Sequence, residues 1–385
     1  MIANANSIRI PLANKSVHMC VTSPPYYGLR DYGLPGTDWG AVTYTPMAGL
    51  PSLTVKPWNG CLGLEPTPEM FVAHIVAMFR EVWRVLRDGG TLWLNFGDSY
   101  AGSGKGGQSE EKRSENWQPV YGNKGMNYGL KPKDLIGIPW RVAFALQADG
   151  WYLRNDIIWH KPNPMPESVT DRCTKSHEYL FLLAKSKRYY YDAEAVKESG
   201  AGRELFGNSR SKGNCEQRQD NDRQDMTPTP TRNRRTVWTI STKPYKGAHF
   251  ATYPTDLVRP CILAGTSQHG VCPVCGSPWE RVTEREAAPS VENSGLDRYG
   301  DQSAGVHRKV GGQYQKWLDA HPKQTTGWRP TCEHEADPIP AKVLDPFCGS
   351  GTTGEVCRET GRKFVGLDLS QRYLVDFALH RAEGK

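Results

Sequence analysis

The sequence predicts an α/β protein, a Rossmann-like sheet interrupted by polar insertions and carrying a small metal-binding module. Three observations lead there. A strand, glycine turn, helix and second strand follow one another over residues 343–368. A further apolar strand at residues 17–22 stops abruptly at Ser23-Pro24-Pro25-Tyr26. Long polar stretches separate these two ends.

Val343 and Leu344 form an apolar run ending at Asp345, as in a buried parallel strand. Gly349, Gly351 and Gly354 follow as G-x-G-x-x-G, where the missing Cβ lets the chain turn tightly and a ligand approach. Thr352 and Thr353 are expected to cap the helix that begins there, and Gly361 to end it. Residues 364–368 are a second short strand closing on Asp368. An acid at that distance can accept both hydroxyls of a ribose. A nucleoside-bearing cofactor is therefore expected. Asp345-Pro346-Phe347 stands where a nicotinamide fingerprint runs straight into its first glycine, which argues against nicotinamide. Only about thirty residues follow Gly354, so the rest of the sheet must come from earlier in the chain.

A chain of 385 residues can bury one large core, or a core plus a small module. The net charge of +7 permits a nucleic-acid partner without demanding one. A mean hydropathy of -0.61 fits polar insertions around a modest core. There is no apolar stretch of about eighteen residues and no signal-peptide plan at the N-terminus, so a cytoplasmic protein is expected. The ten cysteines are scattered apart from one C-x-x-C, a pattern that suggests thiols and a metal rather than disulfides.

In chain order, the two prolines after Ser23 cannot continue a sheet and must leave the strand end as a rigid loop. Ligands of open α/β sheets sit at such carboxyl ends. Residues 70–86 carry helical spacing, with Pro68-Glu69 as the start and Asp88-Gly89-Gly90 as the stop. A strand ends at Gly97-Asp98, followed by a lysine- and glycine-rich loop over 99–133 that is too long for a simple connector. Residues 135–148 read as a helix and 151–159 as a strand, broken at His160-Lys161-Pro162. Residues 178–184 and 188–191 read as a hairpin turning at Lys185-Ser186-Lys187. From 198 to 235 apolar residues nearly vanish, so this segment cannot order from its own burial. Order resumes at Val237-Trp238, and 255–264 reads as a helix in which Cys261 is core.

Cys272-Pro273-Val274-Cys275-Gly276 is a knuckle, and Cys332-Glu333-His334 supplies two further soft ligands. A Cys₃His set is a closed, four-coordinate zinc site. His307 and His321 are alternative fourth ligands.

Sheet topology puts the loop after residue 22 and the glycine turn at one carboxyl edge. Those two stretches, Val21-Thr22-Ser23-Pro24-Pro25-Tyr26 and Asp345 to Thr353, resemble motifs IV and I of the amino-group DNA methyltransferases. Catalytic motif first and cofactor motif last resembles the circularly permuted β class, and the polar insertions and the zinc-like module resemble phage or prophage members. The resemblance implies a mixed seven-stranded sheet, S-adenosylmethionine as cofactor, double-stranded DNA as substrate and a bacterial or phage-infected cytoplasm. It leaves open a homodimer and a cognate restriction endonuclease.

The chemistry expected of the residues follows. A base's exocyclic amine is a poor nucleophile because its lone pair is delocalised. Two acceptors on its hydrogens, assigned to Ser23 Oγ and the Pro24 carbonyl, free that lone pair. Pro25 stiffens the loop, and Tyr26 is expected to stack on a flipped base. Thr22, Asp345, Pro346, Phe347, Gly349, Ser350, Gly351, Thr352, Asp368 and Leu369 are the expected cofactor contacts, and the resemblance implies that the stretch from His249 to Thr255 lines the methionine side. Tyr27, Arg30, Lys131, Lys133, Lys161, Arg234 and Arg235 are the expected DNA contacts. The leading Ser23 resembles the N4-cytosine signature, where adenine enzymes more often carry Asp or Asn, so the resemblance implies cytosine N4 over adenine N6; the chemistry of the amine fits both bases. Methylation of RNA or of protein glutamine, and a non-catalytic zinc-containing DNA-binding protein, are the alternatives. The expected division is a catalytic half over 1–197, a flexible insertion over 198–235, core over 236–270, a zinc-knuckle insertion over 271–335 and a cofactor half over 336–385.

Overall fold

The computed structural model describes residues 1–102, 129–199, 231–243, 253–286 and 320–384. These group into two compact units: Met1–Asp192 with Arg235–Trp279 and Pro330–Lys385, and Ala193–Arg234 with Glu280–Arg329.

The first unit is built on an eight-stranded sheet. In chain order the strands are β1 (Ile2–Asn4), β2 (Val17–Thr22), β3 (Leu86–Phe96), β4 (Tyr152–His160), β5 (His177–Ala184), β6 (Val237–Thr239), β7 (Lys342–Asp345) and β8 (Lys363–Asp368). They lie in the order β1-β8-β7-β2-β3-β5-β4-β6. β5 runs antiparallel to both neighbours, and the other pairings are parallel. β7 pairs with β2, Val343 opposite Met19 and Leu344 opposite Cys20, so chain ends more than three hundred residues apart become neighbours.

Four helices matter to the site: α1 (Pro68–Val85), α2 (Ile138–Ala148), α3 (Thr255–Gly265) and α4 (Thr352–Glu359). Alternation along β2 and β3 serves both faces of the sheet. Cys20, Leu92, Leu94 and Phe96 join the core formed with α1 and α2. Met19, Thr91 and Trp93 lie against Gly265 of α3, where a Cβ would fall 2.8 Å from the Met19 sulfur. Burial on both faces explains why these strands read as continuous apolar runs.

Several expectations change here. The sheet has an eighth strand, β6, added parallel to β4. Residues 178–191 do not form a hairpin: β5 is sandwiched between β3 and β4, which occupy both of its edges, and Tyr190 N–H donates to the Gly89 carbonyl instead. α1 ends at Val85, its C-cap Leu86 turns extended to open β3, and Asp88-Gly89-Gly90 falls inside β3 rather than stopping the helix. The short pairs Thr37–Trp39 with Trp58–Gly60 and Val42–Tyr44 with Leu53–Val55 were not anticipated. They close over α1, where buried His74 pairs with Glu65 at 2.9 Å and stacks on Trp39.

Candidate active site

The loop after β2 and the glycine turn after β7 line one cavity. Ser23 and Pro25 contribute from the first, Pro346, Phe347, Gly349 and Ser350 from the second, and Asp368 and Leu369 from the end of β8. Further parts of the wall were not expected from the sequence, among them Asn6, Ser7 and Ile8 from the N-terminal segment and the rings of Trp39 and Tyr373; Tyr32 joins them from the loop after β2. Ser7 is fixed there by donating to the Pro346 carbonyl at 2.5 Å.

Asp368 sits at one side of this cavity. Its Oδ2 accepts from Gly349 N–H at 2.9 Å and its Oδ1 from Ser370 N–H at 2.8 Å. Each oxygen keeps a further lone pair, which is what a vicinal diol needs. Burial pushes this carboxyl up from its ordinary value, against the pull of the two backbone donors.

Asp345 plays a different part from the one expected. Its carboxylate is 1% exposed and does not line the cavity. Oδ1 accepts from Thr22 Oγ1 at 2.7 Å and Phe347 N–H at 3.1 Å, and Oδ2 from Thr353 Oγ1 at 2.6 Å and Tyr253 OH at 2.8 Å. Four donors from four segments leave no room for a ligand. Asp345 is a strut that ties β2, the glycine turn, α4 and Tyr253 together. Thr22 and Thr353 are spent on that strut. The expected capping of α4 by Thr352 and Thr353 is therefore absent: Gly351, at φ 82°, is the N-cap and no side chain caps it. Gly351 and Thr352 lie behind the cavity wall, Gly351 packed on Ala378 and Thr352 bonded to Arg381 at 2.9 Å. Thr255 opens α3 away from the wall, and His249 lies outside the described residues.

In the loop after β2, Ser23 Oγ donates to Tyr26 OH at 3.3 Å, and Tyr26 OH lies 2.7 Å from Glu178 Oε2 and 3.1 Å from Asn95 Oδ1. Tyr26 has one hydrogen, and the shorter, charged acceptor claims it. Ser23 thereby spends its only hydrogen on Tyr26 and presents its oxygen as an acceptor. Glu178 Oε1 is held by Lys161, whose ammonium also sits over the Trp159 ring at 4.3 Å. Gly97 makes space for the Tyr26 ring; a Cβ there would fall 2.6 Å from Tyr26 Cε2. Burial, reinforced by the Glu178 charge, pushes the Tyr26 phenol well up, so it stays a donor. Glu178 and Asn95 were not singled out from the sequence. The available signal was a lone acid opening an apolar strand.

Of the expected DNA contacts, Tyr27 is corrected. Its ring is 1% exposed, packed 5.3 Å from Phe71 in the core. Lys161 is committed to Glu178. Arg30 is half-buried, while Lys131 and Lys133 are exposed and paired with Asp134 and Asp171. Arg234 is half-buried and Arg235 exposed. Much of the 99–133 loop and of 198–235 lies outside the described residues. The four metal candidates, Cys272, Cys275, Cys332 and His334, come together, each with a ligand atom within 4.8 Å of the others.

Comparison with known proteins gives a concordant picture. A family model described as DNA methylase matches residues 17–277 and 340–378. The Type II methyltransferase M.Cfr9I of Citrobacter freundii is 37% identical over 382 residues, covering 99% of this chain and 86% of the relative. M.SmaI of Serratia marcescens is 36% identical over 359 residues, covering 92% and 80%. Among solved structures, the PvuII DNA methyltransferase, described as cytosine-N4-specific, matches with a TM-score of 0.51 at 14% identity, over 99% of this chain and 85% of that one, a likeness of fold.

Proposed function

Because the chain belongs to the N6/N4 DNA methylase family, we propose that it moves a methyl group from S-adenosylmethionine to the exocyclic amine of a base flipped out of duplex DNA, cytosine N4 in preference to adenine N6. One observation carries this reading: Ser23 and Pro25 share a cavity with Gly349 and Asp368.

The cavity suits the cofactor by its own chemistry. Asp368 keeps lone pairs for two ribose hydroxyls, and Pro346, Phe347 and Leu369 offer apolar surface. Gly349 lets the backbone come close without a Cβ. When bound, the cofactor supplies an electrophilic methyl group on a sulfonium. The chain's own residues do the rest. Ser23 Oγ and the Pro24 carbonyl accept the two amine hydrogens and draw the nitrogen toward tetrahedral geometry. Glu178, through Tyr26, keeps Ser23 in its acceptor orientation. Positive charge moves to the nitrogen as the bond forms, and fixed acceptors stabilise that charge without reorganising. The proton then lost from nitrogen passes to Ser23 Oγ as Ser23 gives its own hydrogen to Tyr26 OH and Tyr26 its own to Glu178, whose carboxylate takes up the charge balance.

The choice of cytosine rests on the resemblance of the Ser23 loop to the N4-cytosine signature, since the amine chemistry fits both bases. Arg30, Lys131 and Lys133 are proposed phosphate contacts, and residues 170–235 with 99–133 the readers of the DNA word. Homologues named Type II methyltransferases support a role in protecting that word from a cognate restriction endonuclease. Digesting methylated duplex DNA to nucleosides and weighing them tests the proposal. N4-methylcytosine is expected. N6-methyladenine would overturn the choice of base, and absence of both would overturn the activity.

A further inference from the structure

We propose that Cys272, Cys275, Cys332 and His334 hold one zinc ion in a closed, structural site that fastens together the two chain segments flanking residues 280–329. The four ligand atoms come from two segments far apart in sequence and lie within 4.8 Å of one another. Zinc bound to sulfur at ~2.3 Å sets tetrahedral edges of about 3.8 Å, so only a small contraction completes the site. Three thiols and an imidazole form a soft donor set that suits zinc over magnesium or calcium. Four protein ligands leave no position for water, so the ion is structural and performs no hydrolytic chemistry.

The local backbone is built for this. Cys272 N–H donates to the Ser277 carbonyl and Gly276 N–H to the Cys272 carbonyl, both at 2.8 Å, which closes the knuckle. Gly276 has φ +69°, and Arg87, at the start of β3, donates to the Cys275 carbonyl just where a Cβ at 276 would stand. Backbone bonds hold the two segments side by side. Val271 and Ile339 exchange backbone hydrogen bonds of 2.8 and 2.9 Å, and Thr331 Oγ1 donates to the Pro278 carbonyl at 2.7 Å. Zinc would lock the junction that these bonds align.

The site is not a property of the family match. Cys332 and His334 fall between residues 277 and 340, in the stretch the family model leaves unmatched. Nor does it touch the cavity, since none of the four residues lines it.

The test is elemental analysis of full-length protein purified without added metal. About one zinc per chain is expected. Cys332→Ser and His334→Ala should each lower this at least severalfold, while His334→Cys, which restores a fourth soft ligand, should keep it near one. Chelation should lower the melting temperature of the wild type and leave that of Cys332→Ser unchanged. Because a cysteine variant can fail to fold, cobalt substitution of the wild type gives a second reading, with the absorption of a tetrahedral thiolate site expected. Absence of zinc from the wild type would overturn the proposal. So would stoichiometric iron in its place, or zinc retained by both Cys332→Ser and His334→Ala. Failure of methyl transfer would leave every one of these readouts intact.

Discussion

Glu178 offers the sharpest perturbation of the catalytic loop. Its side chain is 16% exposed, with one oxygen 2.7 Å from Tyr26 OH and the other on Lys161. Replacing it by alanine removes a charge-assisted hydrogen bond, worth ~1.5–3 kcal/mol, and frees the Tyr26 hydrogen to turn toward Ser23 Oγ as well as Asn95. When it turns to Ser23, that oxygen accepts from Tyr26 and the Ser23 hydrogen points at the substrate, so Ser23 is no longer fixed as an acceptor. If most of that energy bears on the transition state, kcat falls roughly 10- to 100-fold. Glu178→Gln keeps an oxygen for Tyr26 but sets an amide against Lys161, so its loss should be smaller. The assay is transfer of labelled methyl from S-adenosylmethionine to duplex DNA at saturating substrates. The cofactor KM should stay within about twofold, because Glu178 does not line the cavity. A Tyr26→Phe, Glu178→Ala double variant should be no worse than the poorer single one. Unchanged kcat in Glu178→Ala, or strictly additive losses, would refute the positioning role.

Other outcomes follow from the same geometry. Asp368→Ala should weaken cofactor binding, measured by calorimetry, by about 2 kcal/mol or roughly thirtyfold, and also lower the melting temperature of the free protein, because the Gly349 and Ser370 N–H groups lose their acceptor. Burial raises the Asp368 carboxyl above 3.8, and the charged form is the acceptor, so cofactor affinity should be full above the raised value and decline as pH falls through it. That decline should begin at a higher pH than an ordinary aspartate would give and should vanish in Asp368→Asn. Gly97→Ala should push the Tyr26 ring off Glu178 and reduce methyl transfer about tenfold or more, read in the same transfer assay. Gly351→Ala combines a left-handed φ of 82° with a Cβ 2.6 Å from the Ala378 Cα. It should cost roughly 2 kcal/mol of stability, read by denaturant unfolding.

The sequence made the two halves of the site legible because each is local. A strand cut off by two prolines and a glycine turn closed by an acid both announce themselves within ten to twenty-five residues. Their meeting followed from sheet topology, and β7 beside β2 realises it. What stayed hidden depends on long-range partners. Asp345 reads like a ligand from its place in the motif. Only the approach of Thr22, Tyr253 and Thr353 turns it into a strut. Tyr27 looks as available as Tyr26 until α1 brings Phe71 against it. Glu178 lies 152 residues from Tyr26, and no spacing rule connects them. The hairpin over 178–191 failed for the same reason, since nothing local says that β5 already has a partner on each edge.

The central claim is that cofactor and target base meet between the loop after β2 and the turn after β7. Its most direct test is the Ser23→Ala, Tyr26→Ala double variant, in which labelled methyl transfer to duplex DNA and binding of S-adenosylmethionine are measured on one preparation. Cofactor bound as in the wild type, with methyl transfer reduced at least a hundredfold, is the predicted result. Methyl transfer at the wild-type rate would contradict it.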